Sequence, residues 1–219
     1  MNLTEKSFDI ILKQKMLPLY FNEDKDVSIE VLKALYKAGI RSVEYTNRGA
    51  SAFENFKTMI TLRDTELQDM ELGIGTIKTV EDAQRFIEIG ANYIICPGLI
   101  PDVVKHVQKA QLLCIPGCMT TSEIIAAEQL GVTFIKLFPG NLIGPGYVNA
   151  IKDIFPDLYF MPTGGVDTTK ENIQSLFDSG ICAVGMGSKL LSKDLLKSKN
   201  YETIELATKE VLDIVQNIK

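Results

Sequence analysis

A single lysine, Lys136, lies within the apolar sequence Phe134-Ile135-Lys136-Leu137-Phe138, and a Pro-Gly turn follows it. Short runs of large apolar residues are typical of strands that are buried on both faces in a parallel sheet. Alternation along such a strand places Lys136 on the same face as Phe134 and Phe138. Burial disfavours the ammonium form, so this lysine is a candidate amine that attacks a carbonyl carbon and forms a Schiff base. The alternative is a structural lysine that reaches a strand end or pairs with a carboxylate.

A carboxylate and a guanidinium occur close together in the sequence Glu44-Tyr45-Thr46-Asn47-Arg48. Alternation places Glu44, Thr46 and Arg48 on one face of a predicted strand. A carboxylate that faces an amine inside a sheet can move protons, and a guanidinium at the strand end can hold a substrate carboxylate through two hydrogen bonds. The alternative is a structural ion pair that Glu44 forms with Arg48 or with Lys136.

Glycine-rich turns follow several predicted strands. Residues 162–165 (Pro-Thr-Gly-Gly) and 185–188 (Gly-Met-Gly-Ser) follow the last two, and together they favour a phosphate site built from backbone N–H groups. Residues 73–76 (Gly-Ile-Gly-Thr) and 96–98 (Cys-Pro-Gly) are weaker signals that turn chemistry alone could explain. A buried amine, a carboxylate with an arginine, and a phosphate cradle together predict imine chemistry on a phosphorylated keto acid.

Strand-like and helix-like segments alternate along the chain, and eight such units predict a closed (β/α)8 TIM barrel, with a short N-terminal helix, as one domain over residues 1–219. The alternative is an open doubly wound sheet, which usually has a glycine turn after its first strand that this chain lacks. The predicted strands are Met16–Tyr20, Ser42–Tyr45, Met70–Gly73, Tyr93–Cys96, Leu112–Ile115, Phe134–Phe138, Tyr159–Met161 and Ala183–Gly185. The predicted helices are Val27–Ala38, Ala52–Leu62, Val80–Ile89, Pro101–Ala110, Ser122–Leu130, Tyr147–Ile154, Lys170–Asp178 and Tyr201–Ile218. Thr121 or Ser122 is expected to cap the fifth of these helices.

Composition and charge exclude several classes of function. The 219 residues are 46% hydrophobic and 23% charged, which is ordinary for a soluble globular protein. The net charge of −5 argues against nucleic acid or an anionic membrane as the main partner. No apolar run approaches the roughly 18 residues of a membrane helix. The segment Met1–Lys13 carries Glu5 and Asp9 among its apolar residues, so we expect an amphipathic helix there and no signal peptide.

Cysteine and histidine usage argues against a metal centre. None of the cysteines, which are Cys96, Cys114, Cys118 and Cys182, forms a CxxC pair. We expect buried, reduced thiols and a cytoplasmic protein. The only histidine, His106, lies in a helix-like segment and is expected at the surface, which gives a transition-metal site or a Ser-His-Asp triad little support. We therefore expect neither a metal nor a cofactor.

With these segments in view, the chain resembles the KDPG/KHG aldolase family, which groups 2-keto-3-deoxy-6-phosphogluconate (KDPG) aldolase with 4-hydroxy-2-oxoglutarate (KHG) aldolase. The matching segments follow the family order and cover nearly the whole chain. Each is short, and the specificity lies in their combination. They are residues 43–48, 73–76, 97–98, 116–117, 122–123, 134–139, 162–165 and 185–188.

The resemblance implies a class I (Schiff-base) aldolase that acts in carbohydrate metabolism, in the Entner-Doudoroff pathway. It also implies a trimer of barrels and no metal. It implies that Lys136 is the Schiff-base lysine and that Glu44 is the general acid/base. It also implies a set of substrate contacts. These are Arg48 and Thr76 at the pyruvate carboxylate, Pro97 and Phe138 along the pyruvate pocket, and Gly164, Gly165 and Ser188 at the phosphate site. Thr163 and Gly187, in the same two turns, are further expected substrate contacts.

The chain departs from the family pattern at the aldehyde and phosphate end. Phe21 stands where many members have an arginine, Gly140 replaces a usual alanine, and Lys189 stands where a tryptophan is common. The loop of residues 141–145 also differs. These changes bear on substrate identity more than on reaction class. Lys189 is a candidate for the cation that contacts the substrate phosphate in place of the arginine.

Three alternatives stay open at this stage. One is an aldolase for the galactonate epimer or for another 2-keto-3-deoxy acid. The second is a sugar-phosphate isomerase or epimerase, which needs two acid/base groups around one carbon, whereas only Glu44 is a clear candidate. The third is a phosphosugar-binding protein without catalysis, against which the combination of Glu44 and Lys136 argues.

Overall fold

Strands and helices alternate along residues 3–218, which are the part of the chain that this computed structural model describes. The strands are β1 (Met16–Tyr20), β2 (Ser42–Thr46), β3 (Glu71–Gly75), β4 (Tyr93–Ile95), β5 (Leu113–Ile115), β6 (Gly117–Cys118), β7 (Phe134–Leu137), β8 (Tyr159–Pro162) and β9 (Val184–Met186). The helices are α1 (Leu3–Gln14), α2 (Lys25–Lys37), α3 (Ala52–Glu66), α4 (Val80–Glu88), α5 (Pro101–Lys109), α6 (Thr121–Gln129), α7 (Gly140–Ile151), α8 (Lys170–Asp178), α9 (Lys193–Ser198) and α10 (Tyr201–Asn217). Within residues 3–218 no helix is both long and apolar enough to cross a bilayer.

The strands close into a parallel barrel. One ladder runs in the order β5-β4-β3-β2-β1-β9, and a second runs in the order β6-β7-β8. A bridge between Thr163 and Gly185 joins β8 to β9, and the Cys182 N–H donates to the Phe160 carbonyl beside it. The predicted (β/α)8 TIM barrel is therefore confirmed, and the open doubly wound sheet is excluded.

The fifth barrel position holds two short strands, where the sequence predicted one. Pro116 separates β5, which pairs with β4, from β6, which pairs with β7. Proline cannot donate to a ladder, but its carbonyl oxygen accepts from the backbone N–H of Lys136 at 3.0 Å. The predicted strand Leu112–Ile115 accounts only for the first piece.

The inside of the barrel is a small apolar cluster, separate from the larger layer between strands and helices. Phe134 belongs to the inner cluster, whereas Ile135 and Leu137 belong to the outer layer, as alternation predicted. The inner cluster is Ile11, Leu17, Tyr93, Ile95, Leu113, Ile115, Phe134, Met161 and Ala183.

Helix α1 closes the N-terminal end of the barrel. Its Ile11 joins the inner cluster, and its Phe8 packs edge-on against Phe134 and Tyr159, with ring centroids 5.6 and 4.9 Å apart. The predicted N-terminal amphipathic helix is confirmed from Leu3 onward, whereas Met1 and Asn2 lie outside the described residues.

Buried polar groups fix α1 to the strand starts. The Gln14 side-chain oxygen accepts from two backbone N–H groups at the start of β2, and its nitrogen donates to carbonyls at the starts of β1 and β2. The buried Glu71 carboxylate accepts from the Ser7 hydroxyl at 2.7 Å and pairs with Lys6. These contacts satisfy groups that would otherwise be costly to bury.

Three local features differ from the sequence predictions. Helix α7 begins at Gly140, within residues that looked like a loop, and non-helical angles at Gly144 (φ 66, ψ 171) interrupt it. Helix α9 was not predicted, because six residues give too little periodicity to recognise. The cap of α6 is Thr120, which forms a capping box with Glu123, so the expected cap at Thr121 or Ser122 was wrong.

Glycines at inward strand positions make room for large neighbours. A Cβ at Gly73 would collide with the Tyr93 ring, and a Cβ at Gly185 would collide with the Thr163 side chain. The Tyr93 ring is fully buried, and its hydroxyl lies 2.9 Å from the Ser42 hydroxyl, so it cannot move aside easily. The missing side chain at each of these glycines thus leaves the space that the neighbouring Tyr93 ring or Thr163 side chain occupies.

We expect Gly73→Ala to lower the free energy of unfolding by about 1–3 kcal/mol, because overpacking at this site displaces the Tyr93 ring. Gly98→Ala is the matched control, since a Cβ there would meet nothing within 4 Å, and we expect it to change stability by less than about 0.5 kcal/mol. Urea unfolding followed by circular dichroism measures both values. Equal effects of the two substitutions would contradict this account of the barrel interior.

Candidate active site

A cavity of about 370 Å³ opens where the barrel strands end. This volume suits a small metabolite, and barrel enzymes build their sites at this end. The cavity gathers most of the predicted site residues, although they are far apart in sequence. Those that line it are Arg48, Lys136, Phe138, Thr163, Gly164, Gly165, Gly187 and Ser188.

Lys136 lines the inner end of this cavity, and Glu44, which is not part of the lining, lies beside its amine. Their side chains are only 6% and 1% exposed, and Lys136 Nζ lies 3.4 and 3.5 Å from the two carboxylate oxygens. Charge-assisted hydrogen bonds are usually about 2.7–2.9 Å long. The amine is therefore next to the carboxylate without being held tightly by one oxygen, an arrangement that allows proton transfer after a small movement.

The local sequence explains why Glu44 fits inside the barrel. Thr46 is opposite Gly75 in the pairing of β2 with β3, and a Cβ at Gly75 would collide with the Glu44 carboxylate. Glycine at this position therefore leaves the space that the carboxylate occupies. Thr46 is buried and donates to the Tyr20 carbonyl at 3.3 Å, which makes it a structural residue.

Lys136 is positioned by the strands on both sides of β7. Its partners in register are Gly117 on β6 and Met161 on β8. The Phe138 ring lies two residues further along the chain, with its centroid 5.5 Å from Nζ, within the distance of a cation–π contact. The alternation predicted for this strand thus places an amine above Phe134 and below Phe138.

Arg48 lies at the mouth of the cavity and is exposed. Within residues 3–218 its guanidinium has no carboxylate partner, so the structural ion pair with Glu44 that the sequence left open does not form. An unpaired guanidinium is able to bind a ligand carboxylate through two parallel hydrogen bonds.

Thr76 and Pro97 do not line the cavity. Thr76 is half-buried at the end of β3 and has a φ of 63°, which for a β-branched residue costs about 1–3 kcal/mol and is common at functional sites. Pro97 is half-buried, and its carbonyl packs where a Cβ at Gly117 would stand. Their contacts with substrate stay predictions.

The turn after β8 has the geometry of an anion cradle. Gly164 and Gly165 have φ angles of 97° and 72°, which glycine adopts at little cost, and successive groups in such turns form concave anion sites. The Thr163 and Gly164 carbonyls accept from backbone N–H groups at the start of α7, at 2.7 and 2.8 Å, and thereby fix the turn. Thr163 lines the cavity, but its hydroxyl oxygen is buried and has no hydrogen-bond partner within residues 3–218.

Two lysines line the outer part of the cavity. Lys189 pairs with Asp167 at 3.3 Å, and both side chains are exposed. The Thr169 backbone N–H, followed by Lys189, lowers the pKa of Asp167. Lys193, on α9, also lines the cavity. Lys193 was not among the predicted site residues, because it does not lie in a turn that directly follows a strand.

The cysteines and the histidine lie outside the cavity lining. Burial raises the pKa of Cys118 and of Cys182 to about 12 in each case, so these thiols stay protonated. All four cysteines are free, and Cys182 alone is not fully buried. A ring nitrogen of His106 lies 2.7 Å from Gln84 on the neighbouring helix. Across residues 3–218, no three His, Cys, Asp or Glu side chains gather as a metal site.

Comparison with known proteins gives a consistent family. The family model described as KDPG and KHG aldolase matches residues 8–207. A 2-dehydro-3-deoxy-phosphogluconate aldolase from Pseudoalteromonas atlantica is 30% identical over 214 residues, which are 96% of each chain. A 2-dehydro-3-deoxy-6-phosphogalactonate aldolase from Escherichia coli is 31% identical over 120 residues, which are 54% of this chain and 58% of that protein. The solved KDPG aldolase from Legionella pneumophila shares the fold, with a TM-score of 0.83, 24% identity, and coverage of 97% of this chain and 98% of that one.

Fold and site together define the class as a (β/α)8-barrel enzyme with an amine at the inner end of its cavity. The chain belongs to the KDPG and KHG aldolase family, whose members are lyases.

Removing one partner of the buried pair should be costly. We expect Lys136→Met to lower the free energy of unfolding by about 3–5 kcal/mol, because it leaves the Glu44 carboxylate buried without its partner. The double variant Lys136→Met/Glu44→Gln should regain most of this loss, since neither member of the pair then leaves an unpaired charge. Chemical denaturation of the unmodified protein, the single variant and the double variant measures the three free energies of unfolding. Lys199→Met, which breaks the exposed pair with Asp24, is the control and should change stability little. A double variant no more stable than Lys136→Met would contradict this reading of the pair.

Proposed function

We propose that this chain is a class I aldolase that cleaves KDPG to pyruvate and glyceraldehyde 3-phosphate, and that it also cleaves KHG to pyruvate and glyoxylate. The observation that carries the proposal is the Lys136 amine, buried beside the Glu44 carboxylate at 3.4 Å. Family membership and the names of the relatives support the same reaction.

In the proposed reaction, Lys136 Nζ attacks the C2 carbonyl carbon, and loss of water from the resulting carbinolamine gives an iminium. Glu44 moves the protons of this dehydration and then accepts the proton of the C4 hydroxyl as the C3–C4 bond breaks. The electron pair of that bond passes to the iminium and forms an enamine. Protonation at C3 and hydrolysis of the imine then release pyruvate and restore the amine.

The proposed substrate lies along the cavity from its inner to its outer end. Arg48 and Phe138, which line the cavity, contact the carboxylate and the body of the pyruvate half. Thr76 and Pro97, which lie outside that lining, are the further contacts that the family resemblance implies. The Thr163 hydroxyl is buried against Gly185 and has no partner within residues 3–218, so the contact of Thr163 with the ligand in this proposal does not depend on it. The phosphate site is built by Thr163, Gly164, Gly165, Gly187 and Ser188.

The galactonate epimer of KDPG is a second candidate substrate, because a relative carries the name of that activity. The two epimers share the pyruvate half and the phosphate, so the same amine and carboxylate serve both. An isomerase or epimerase would need a second acid/base group opposite Glu44. Lys136 is the ionisable group paired with Glu44, which favours imine chemistry.

The homotrimeric assembly and the cytoplasmic location are also parts of this proposal. Four unpaired thiols suit a reducing compartment, which supports the location. The trimer follows from the family resemblance. Sedimentation analysis of the purified protein measures the assembly directly.

Trapping with borohydride tests the nucleophile. We expect pyruvate and sodium borohydride to add a three-carbon acid to Lys136, because reduction fixes the imine as a stable amine. Peptide mass spectrometry locates the adduct. Lys136→Arg should give no adduct, since a guanidinium stays protonated and cannot form the imine. An adduct on another lysine, or none in the unmodified protein, would reject the assignment.

Glu44→Gln keeps the size of the side chain but removes proton transfer. We expect kcat to fall by roughly 10²–10⁴, the usual contribution of a general acid/base, with a much smaller change in KM. Steady-state assays of pyruvate release measure both constants. Denaturation of the same variant controls for folding, and unchanged turnover in a folded protein would make Glu44 a structural residue.

A further inference from the structure

Two cations that line the cavity, Arg48 at its mouth and Lys193 in its outer part, have no carboxylate partner within residues 3–218. Arg48 is the proposed contact of the substrate carboxylate, which leaves Lys193 for a second anionic group. Lys189 and Lys193 both line this part, but Lys189 is paired with Asp167. Within residues 3–218, Lys193 has no carboxylate partner, and its side chain is exposed. An anionic group of a ligand could therefore pair with Lys193 without first breaking an ion pair.

Lys193 stands where two cavities adjoin. A second cavity of about 460 Å³ shares Phe21, Lys193 and Leu196 with the first. Its other lysines are Lys197 and Lys199, of which Lys199 pairs with Asp24 at 3.0 Å. Of the three lysines that line the second cavity, Lys193 alone also lines the cavity that contains Lys136.

The Phe21 side of the cavity is apolar, and of the cations that line the cavity the one nearest to Phe21 along the chain is Arg48, in the turn after β2. The Phe21 ring lies 5.8 Å from the Tyr45 ring between centroids, and it fills the space that a Cβ at Gly49 would need. Phe21 is therefore held in place against the turn after β2. With Leu196 also apolar, an anion in the outer part of the cavity can obtain a cationic contact from the α9 side.

We propose that Lys193 is a specificity-determining residue that pairs with the terminal phosphate of the substrate and selects phosphorylated over unphosphorylated keto acids. This inference rests on the proposed aldolase function. The cation that contacts the phosphate is then Lys193 on α9. Lys189 keeps its ion pair with Asp167 and lies at the edge of the cavity.

The test compares KDPG with 2-keto-3-deoxygluconate, which lacks only the phosphate. Lys193→Ala removes one charge-assisted hydrogen bond, so kcat/KM for KDPG should fall about tenfold to hundredfold. The loss on the unphosphorylated acid should be at least tenfold smaller. Lys193→Arg keeps the charge and should retain most of the preference for the phosphorylated acid.

Lys197→Ala is the matched control, because it removes the same charge one helical turn away on α9 and lines only the second cavity. We expect both substrates to react with this variant at about the normal rate. Lys189→Ala should likewise have less effect on the preference than Lys193→Ala. A larger effect of Lys189→Ala, equal losses of Lys193→Ala on both substrates, or no loss on either would overturn the proposal.

Two further measurements separate this inference from the proposed function. Pyruvate trapping at Lys136 tests the aldolase assignment without a phosphate. Binding of inorganic phosphate, followed by phosphorus NMR, tests Lys193 without catalysis, and Lys193→Ala should weaken it about tenfold relative to Lys197→Ala. Successful trapping together with equal phosphate affinity in both variants would reject the role of Lys193 alone. Failed trapping together with selective loss of phosphate binding would reject the aldolase and keep the anion site.

Discussion

The structure depends on an ion pair that water cannot easily reach. Removing an amine and a carboxylate from water costs several kcal/mol for each ion, and their attraction offsets that cost only in a well-supported setting. Lys136 and Glu44 are both buried inside the barrel, between Phe134 and Phe138, but their closest approach is 3.4 Å, which is long for a charge-assisted hydrogen bond. Two apolar residues at these positions could pack equally well, so chemistry explains the pair better than stability does.

The space for the pair is created by missing side chains. Gly75 leaves room for the Glu44 carboxylate, just as Gly73 leaves room for Tyr93 and Gly185 leaves room for Thr163. Because protein interiors are close-packed, each absent side chain fixes the position of a present one. The same strands that build the barrel therefore also position the reactive groups, without any irregular segment in between.

The sequence could predict those features that follow from the alternation of side chains along a strand and from the residues at strand ends. Alternation placed Lys136 and Glu44 inside the barrel, and both lie there because strand geometry leaves no other choice. The cap at Thr120 was missed because three adjacent hydroxyl residues are equally good caps by type. The start of α7 was missed because Gly144 and Pro145 read as a loop. Lys193 was missed because only tertiary packing brings α9 to the cavity.

The plug formed by α1 has a kinetic consequence. Ile11 and Phe8 close one end of the barrel, so ligands pass only through the end that carries Arg48. In the proposed reaction the pyruvate fragment stays bound covalently to Lys136 at the inner end, so the aldehyde fragment lies between it and the exit. The aldehyde must then leave first and pyruvate last. In the synthetic direction, pyruvate must enter first. The architecture of the barrel therefore fixes the order in which substrates bind and products leave.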